Sequence, residues 1–403
     1  MRRVVVTGRG CVSALGVERR AFEQALRSGR GGIGPLHYPN APGPLNMPVA
    51  ARVTGFVPEQ LFDAKRAAQL DPFAQFALVA AREAMAEAGL ASRLRGGGRC
   101  AVIVGTGVGG QATVDEMSQR VYGHGGRVHP MTIPRVMASS PASQISTEFG
   151  IQGPAFGVTS ACSSSNHAIG LGFRMIRDGY ADAAIVGGTD CCFSYGHLKA
   201  WEALRVTAPD TCRPFSRDRR GLVLGEGAGI FVLEELDHAR ERGGEALAEI
   251  AGFGMSADAG DLVHPAVAGM ASAMRAALQD AGAAPEEVDY VNAHGTGTPT
   301  NDGMETRALH AVLGPHARAV AISSTKSLHG HALGAAGAIE LAATIFALRE
   351  GIVPPTANYL GPDDECDLDY TPNEPRERRI RLALSNSFAF GGLNAVLAVR
   401  QVD

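Results

Sequence analysis

Residues 154–172 read Pro154-Ala155-Phe156-Gly157-Val158-Thr159-Ser160-Ala161-Cys162-Ser163-Ser164-Ser165-Asn166-His167-Ala168-Ile169-Gly170-Leu171-Gly172. Phe156 to Ser160 has the character of a strand. From Asn166 onward the small and apolar residues suit a helix that lies close to a neighbour. Cys162 therefore falls on a strand-to-helix turn, where free backbone amides and the helix dipole favour negative charge. A thiol held there is expected to have a lowered pKa and to act as a nucleophile. The same amides suit an oxygen on which negative charge develops. A buried structural cysteine is the alternative, and the run of small residues around Cys162 weighs against it.

Outward from this turn, short apolar runs alternate with helical patterns. Arg3 to Thr7, Cys100 to Gly105, Ala183 to Gly188, Ile230 to Glu234, Tyr290 to Ala293 and Ala383 to Ser387 read as buried strands. Ala67 to Gly89, Asn166 to Gly179, Met270 to Gly282 and Ala335 to Gly351 read as helices. The alternation predicts an α/β layered fold with mostly parallel central strands. The chain also echoes itself. The helix ending Arg177-Asp178-Gly179 has a counterpart ending Arg349-Glu350-Gly351, and Gly221 to Glu235 resembles Ser385 to Arg400. Two similar halves, 1–240 and 241–403, packed face to face, are expected. Gly29 to Pro48 and Gly123 to Pro134, rich in Gly, Pro and His, read as loops.

The bulk properties narrow the function. At 403 residues, 45% hydrophobic and 19% charged, the chain is that of a folded globular protein. A formal charge of -4 and a pI near 6.3 argue against a nucleic-acid binder. The seven cysteines, Cys11, Cys100, Cys162, Cys191, Cys192, Cys212 and Cys366, are odd in number and form no CxxC pair, so reduced thiols are expected. The apolar run at Val4 to Val6 meets Gly8 too soon for a signal peptide, and no stretch approaches the roughly 20 apolar residues of a membrane span. The expected location is the cytoplasm.

Two further segments concentrate polar groups in apolar surroundings. They are Asn292-Ala293-His294-Gly295-Thr296-Gly297-Thr298-Pro299-Thr300-Asn301-Asp302 and Ser323-Ser324-Thr325-Lys326-Ser327-Leu328-His329-Gly330-His331. A histidine at a strand end beside turn residues is well placed to reach a cleft. His329 and His331 also have the spacing of a zinc pair, but no third ligand is apparent. Gly105-x-Gly107-x-x-Gly110 fits a dinucleotide fingerprint, yet no Asp or Glu lies between Glu116 and Glu148 to bind a ribose. A Gly-x-Ser-x-Gly hydrolase motif is absent.

Four segments together resemble the β-ketoacyl–acyl carrier protein synthases of the thiolase-like superfamily. They are Ser160 to Ser164, Asn292 to Asp302, Ser324-Thr325-Lys326-Ser327 with Gly330-His331 to Glu340, and Asn386-Ser387-Phe388-Ala389-Phe390-Gly391-Gly392. The resemblance runs from Val4 to Val399, in the family's order and spacing. It implies a layered αβαβα fold and a decarboxylative Claisen condensation. Cys162 would take the acyl chain from carrier-protein phosphopantetheine. His294 and His331 would bind the malonyl thioester carbonyl and stabilise the enolate. Lys326 would support the histidines and Glu340 would support Lys326. Phe390 would gate the acyl entrance beside Phe388, its amide joining that of Cys162 in an oxyanion hole. Thr296 and Thr298 would contact the pantetheine arm. Val108 would gate the acyl pocket, and Val136 and Met137 would line it across a dimer interface. His167 would be structural. No cofactor or metal is implied, since decarboxylation supplies the carbanion.

Departures from the housekeeping fatty-acid pattern point to specialised biosynthesis. Ala389 and Leu393 stand where Gly and Thr are usual, and His329 where Thr or Leu is commoner. Arg219-Arg220-Gly221 replaces an Arg-Asp-Gly pattern. Lys65 and Arg66 are kept at the carrier-protein patch, while Ala68 and Gln69 replace basic residues. In these departures the sequence resembles the nodulation-type synthases and those of highly reducing type II polyketide (polyene) pathways. The expected partners are an acyl carrier protein and either a second copy or a homologous chain-length factor. Housekeeping elongation is the alternative, and a silent chain-length factor is disfavoured because Cys162, His294 and His331 are all present. A thiolase is disfavoured because its second-cysteine motif near the C-terminus is missing.

Overall fold

The computed structural model describes residues 2–38, 41–90 and 99–402. Ten strands form one mixed sheet: β1 (Val4–Val12), β2 (Cys100–Gly105), β3 (Ala155–Val158), β4 (Ala183–Asp190), β5 (Gly227–Glu235), β6 (Ala248–Ala257), β7 (Tyr290–Asn292), β8 (Ala321–Ser323), β9 (Leu382–Ala389) and β10 (Leu393–Arg400). Their spatial order is β8-β7-β9-β10-β6-β1-β5-β4-β2-β3. Read from either edge, each set of five runs third, second, fourth, fifth, first. In each set the third, second and fourth strands are parallel, and the fifth pairs antiparallel with the fourth and the first. The sets meet through a short antiparallel seam, Val4↔Ile250 to Val6↔Ala248.

The centre of the sheet is thus antiparallel, contrary to the mostly parallel arrangement expected from the alternation. The reason is local. Strands joined by a helical crossover return parallel, whereas β9 and β10 are joined by only Phe390, Gly391 and Gly392, which forces a hairpin. The left-handed φ values of Gly391 (83°) and Gly392 (67°) make that turn.

Seven helices matter for the site: α1 (Pro72–Ala88), α2 (Ser140–Phe149), α3 (Ser164–Arg177), α4 (Tyr195–Leu204), α5 (Val267–Asp280), α6 (Pro299–Leu313) and α7 (Ala336–Glu350). α1 and α2 cover the outer face of the first five strands, and α5 and α6 that of the last five, while α3 and α7 lie between the two sets. This gives five layers. α7 is buried at every position from Ala336 to Leu348, which is why its sequence is apolar all round. Small residues allow the tight middle layer: a Cβ on Gly337 would lie 2.4 Å from Asn166 Oδ1. The helix expected from Ala67 starts instead at Pro72. The Asp71 side chain caps it by accepting from the Phe73 amide, and Pro72 fits the first turn, where no N–H partner is needed. Strands β6 and β8 were not anticipated, nor was α6, whose first turn takes up Pro299 to Asp302.

Candidate active site

The Cys162 turn is built by its serines. Ser164 Oγ accepts from the Ser160 amide (2.9 Å) and donates to Ala161 O (2.7 Å), and Ser163 Oγ donates to Ser160 O (2.8 Å). Ala161 is held at φ 50°, a left-handed conformation that a residue with a Cβ adopts at a cost. The result is a sharp elbow between β3 and α3 that presents Cys162 to a cavity. His167 Nδ1 lies 2.9 Å from Ser160 Oγ and 3.1 Å from Ser163 O, so this ring supports the turn and does not line the cavity.

The cavity, of about 310 Å3, is lined by Cys162, His294, Thr296, Thr298, His331, Phe388 and Phe390 among others. Residues distant in sequence converge there. His331 Nε2 lies 3.1 Å from Cys162 Sγ. The His294 and His331 rings are edge to face with centroids 5.4 Å apart, and Phe388 lies 6.1 Å from His294. Thr296 and Thr298 hydroxyls are 2.9 Å apart at the wall. The backbone amide of Phe390 faces the Cys162 sulfur and favours its charged form.

Lys326 is fully buried behind the histidines. Its Nζ donates to His294 O (2.6 Å), lies 3.3 Å from His294 Nδ1, and pairs with Glu340. An ammonium only donates, so Nδ1 accepts and the His294 proton sits on Nε2, facing the cavity. Burial and the Lys326 charge push both His294 and His331 well below the ordinary histidine value, so both rings are neutral.

The expected low pKa of Cys162 is not what this environment produces. Burial pushes the thiol up to about 12, helped by the charges of Asp190 and Glu340; Lys326 and the Phe390 amide pull the other way. The turn geometry was legible in the sequence, but desolvation outweighs it. The resting thiol is neutral and keeps its proton beside His331.

His329 does not form a metal pair with His331. Its Nδ1 faces Gly330 O (2.9 Å) and its Nε2 faces Thr325 Oγ1 (3.0 Å), so both nitrogens are occupied. Among the described residues no group of three His, Cys, Asp or Glu is placed to hold a metal ion. Val108 packs with Phe390 against one apolar cluster but, contrary to the expected pocket role, does not itself line the Cys162 cavity. Val136 and Met137 do not line the Cys162 cavity. Val136 ends a short helix, Thr132–Val136, and Met137 is 41% exposed.

Two acids, Asp190 and Glu305, went unnoticed in the sequence, and a third, Asp302, was quoted within a motif without a role. Asp190, ending β4, accepts from Thr106 Oγ1 (2.6 Å) and from the amides of Gly107 (2.8 Å), Val108 (3.2 Å) and Gly334 (2.6 Å). It ties the Val108 loop to the segment after His331. Glu305 on α6 accepts from the amides of His294 and Gly295, both at 2.8 Å, and from Asn386 Nδ2 at 3.1 Å. Asp302 accepts from the amides of Phe215 (2.8 Å) and Gly297 (3.2 Å). A carboxylate ending an apolar strand, as in Gly187-Gly188-Thr189-Asp190, was the signal available.

A thiol and two neutral imidazoles on one cavity, with a buried lysine behind them, form an arrangement suited to a condensing enzyme. Residues 1–239 match the family model "Beta-ketoacyl synthase, N-terminal domain" and residues 247–360 match "Beta-ketoacyl synthase, C-terminal domain". Nodulation protein E of Rhizobium sp. (strain N33) is 51% identical over 402 residues, with both chains covered in full. The 3-oxoacyl-[acyl-carrier-protein] synthase 2 of Coxiella burnetii is 40% identical, covering 100% of this chain and 99% of its own. The solved ishigamide ketosynthase/chain length factor superposes with a TM-score of 0.94 at 34% identity, both chains covered in full. The chain belongs to the β-ketoacyl synthase family. It is an acyl-transferring condensing enzyme that works on carrier-protein-bound substrate, with the thiolase-like fold of that family.

Proposed function

We propose that Cys162 carries the acyl chain and that His294, His331 and Lys326 run the decarboxylation and condensation. The observation that carries this reading is the 3.1 Å contact between Cys162 Sγ and His331 Nε2, beside a His294 whose tautomer Lys326 fixes. In the first half-reaction Sγ attacks the thioester carbonyl of an acyl-phosphopantetheine. Its proton passes through His331 Nε2 to the departing pantetheine thiolate. The amides of Cys162 and Phe390 hold the oxyanion. In the second, malonyl thioester enters past Thr296 and Thr298. His294 Nε2–H holds its carbonyl oxygen, joined by His331 in the tautomer that carries its one proton on Nε2 rather than Nδ1, while the C–CO2 bond breaks and the electron pair forms an enolate. The enolate carbon attacks the Cys162 thioester. The C–S bond breaks, β-ketoacyl thioester leaves, and the Cys162 thiolate takes up one proton from solvent water. Glu340 balances Lys326, and Phe388 and Phe390 shape the entrance. No metal or redox cofactor enters this chemistry, because carbon dioxide release supplies the carbanion.

The functional division we propose is 1–240 for the nucleophile and 241–403 for the histidines and lysine. The working form is a dimer formed at the β3 edge, either with a second copy or with a homologous chain-length factor. Phe156 on that strand is an exposed apolar side chain, as are Tyr122, Val128 and Ile133 in the preceding segment. There Val136 and Met137 would reach the partner's acyl pocket. The carrier-protein surface includes Lys65. The pathway is specialised acyl-chain synthesis of the polyketide or nodulation type, and the seven buried free thiols suit the reducing cytoplasm. Housekeeping fatty-acid elongation is the second reading, favoured by the 40% identity to a 3-oxoacyl-[acyl-carrier-protein] synthase 2.

Intact-mass analysis after incubation with a panel of acyl-carrier proteins tests the assignment. One acyl group should add to the wild type and none to Cys162→Ala, and the preferred group reveals the substrate. Acylation that persists in Cys162→Ala would remove Cys162 from the mechanism.

A further inference from the structure

Trp201, the only tryptophan of the chain, sits on α4 and lines the same cavity as Cys162. Its indole stacks on the Phe390 ring, with centroids 6.1 Å apart and planes 24° from parallel. One turn earlier on α4, His197 Nε2 accepts from Trp201 Nε1–H at 2.8 Å. An indole nitrogen only donates, so His197 is neutral here with its proton on Nδ1. Burial favours the same neutral form. Trp201 is 8% exposed and packs with Leu222, Leu224 and Leu333, against which Val108, Val206 and Phe390 lean.

Phe390 therefore has two contacts of opposite kind. Its amide faces the nucleophilic sulfur and its ring lies on Trp201. It is followed by two glycines at positive φ, and Gly391 N donates to Leu262 O at 2.8 Å, so the residue has a hinge on one side only. When the ring leaves the stack, the rigid indole face remains as one wall of the passage to Cys162. An aromatic wall fixed by a hydrogen bond cannot yield to a wide chain as an aliphatic wall can.

We propose that Trp201, oriented by His197, is the positioning residue that seats Phe390 across the acyl passage and excludes chains branched near the thioester. The proposal rests on the reading that Cys162 is the acylated residue behind Phe390.

The single tryptophan reports directly on its own stack. Wild-type protein is mixed with the N-acetylcysteamine thioesters of hexanoate and of 3-methylbutanoate, following tryptophan emission and intact mass together. Emission should change with the rate constant of acylation by hexanoate, and should stay constant in Cys162→Ala. Trp201→Ala should raise the 3-methylbutanoyl-to-hexanoyl rate ratio about tenfold or more. His197→Ala should move the ratio the same way, and His197→Gln, which keeps an acceptor, should restore it. Trp201→Phe, a milder change that keeps an aromatic ring, should make the ratio insensitive to a second change His197→Ala. Unaltered ratios in both Trp201→Ala and Trp201→Phe, or acylation without a change in emission, would overturn the proposal. If wild-type Cys162 takes up no acyl group at all, the catalytic reading fails instead.

Discussion

Cys162 is a buried neutral thiol whose proton acceptor is one imidazole away, so the histidines differ in what each can lose. His331 Nε2 lies 3.1 Å from the sulfur, and both rings line the cavity. Replacing His331 with Ala should slow malonyl decarboxylation by about 10²–10⁴-fold and slow acylation less, because the amides of the turn remain. The reverse ranking, measured as carbon dioxide release against adduct formation, would exclude the assigned roles. Lys326→Ala leaves Glu340 buried without its partner and should cost about 3–5 kcal/mol in urea denaturation; a loss well under 1 kcal/mol would show that the pair is not structural. His329 gives a pH signature. Burial and the Lys326 charge push it down to about 3. Below the ordinary histidine value of about 6.5 the unfolded chain binds a proton that the folded chain refuses. Its stabilising contribution is therefore complete above pH ~6.5 and is lost as pH falls toward 3, by about 1.4 kcal/mol per unit. Asp190, raised to about 6 by burial, opposes this over part of the range. The expected outcome is a shallower acid loss of stability between pH 6 and 4 in His329→Leu than in the wild type. An identical slope would disprove it.

At the level of elements, the site is an agreement among loops enforced by carboxylates. β4 ends on Asp190, which holds the loop after β2 and the segment before α7 with four hydrogen bonds. Asp190→Ala leaves those donors without a partner, and should cost about 1–3 kcal/mol for each donor that water fails to reach. It should also lower the acylation rate, since Val108 and His331 lose their shared anchor. Normal stability and rate in this variant would show that the anchor is dispensable. The crossing of α3 and α7 depends equally on what is missing. Gly337→Val would drive a side chain into Asn166 and should lower stability by about 1–3 kcal/mol in the same assay. α6 contributes through Glu305, which fixes the two amides at the His294 bend.

For the whole molecule, the ten-stranded sheet is covered at one edge and open at the other. β8 is buried throughout, while Phe156 on β3 is 38% exposed and Ile133 in the preceding segment 67%. An exposed edge strand with apolar neighbours invites a further strand. Phe156→Lys should convert a dimer into a monomer in light scattering, and should reduce acylation if Met137 of a second chain completes the pocket. A monomeric wild type, alone and with a chain-length factor, would contradict this arrangement.

Much of this was readable from the chain alone, and the boundary has a physical cause. Hydrophobic periodicity and turn chemistry are local, so the α/β class, the strand-to-helix elbow at Cys162 and the paired helices ending at Gly179 and Gly351 could be placed from neighbouring residues. The short 390–392 connection forces the β9–β10 hairpin locally, but the rest of the antiparallel centre was hidden, because its strand directions depend on which distant strands become neighbours. Asp190 and Glu305 were hidden for the same reason: the amides they hold come from distant segments. The direction of the Cys162 pKa was misread because a helix terminus is written in sequence whereas burial is not. Sequence determined which groups the enzyme owns and where the backbone turns to display them. Only the folded arrangement decided how dry their surroundings are, and desolvation is a property of everything packed around a group rather than of the group itself.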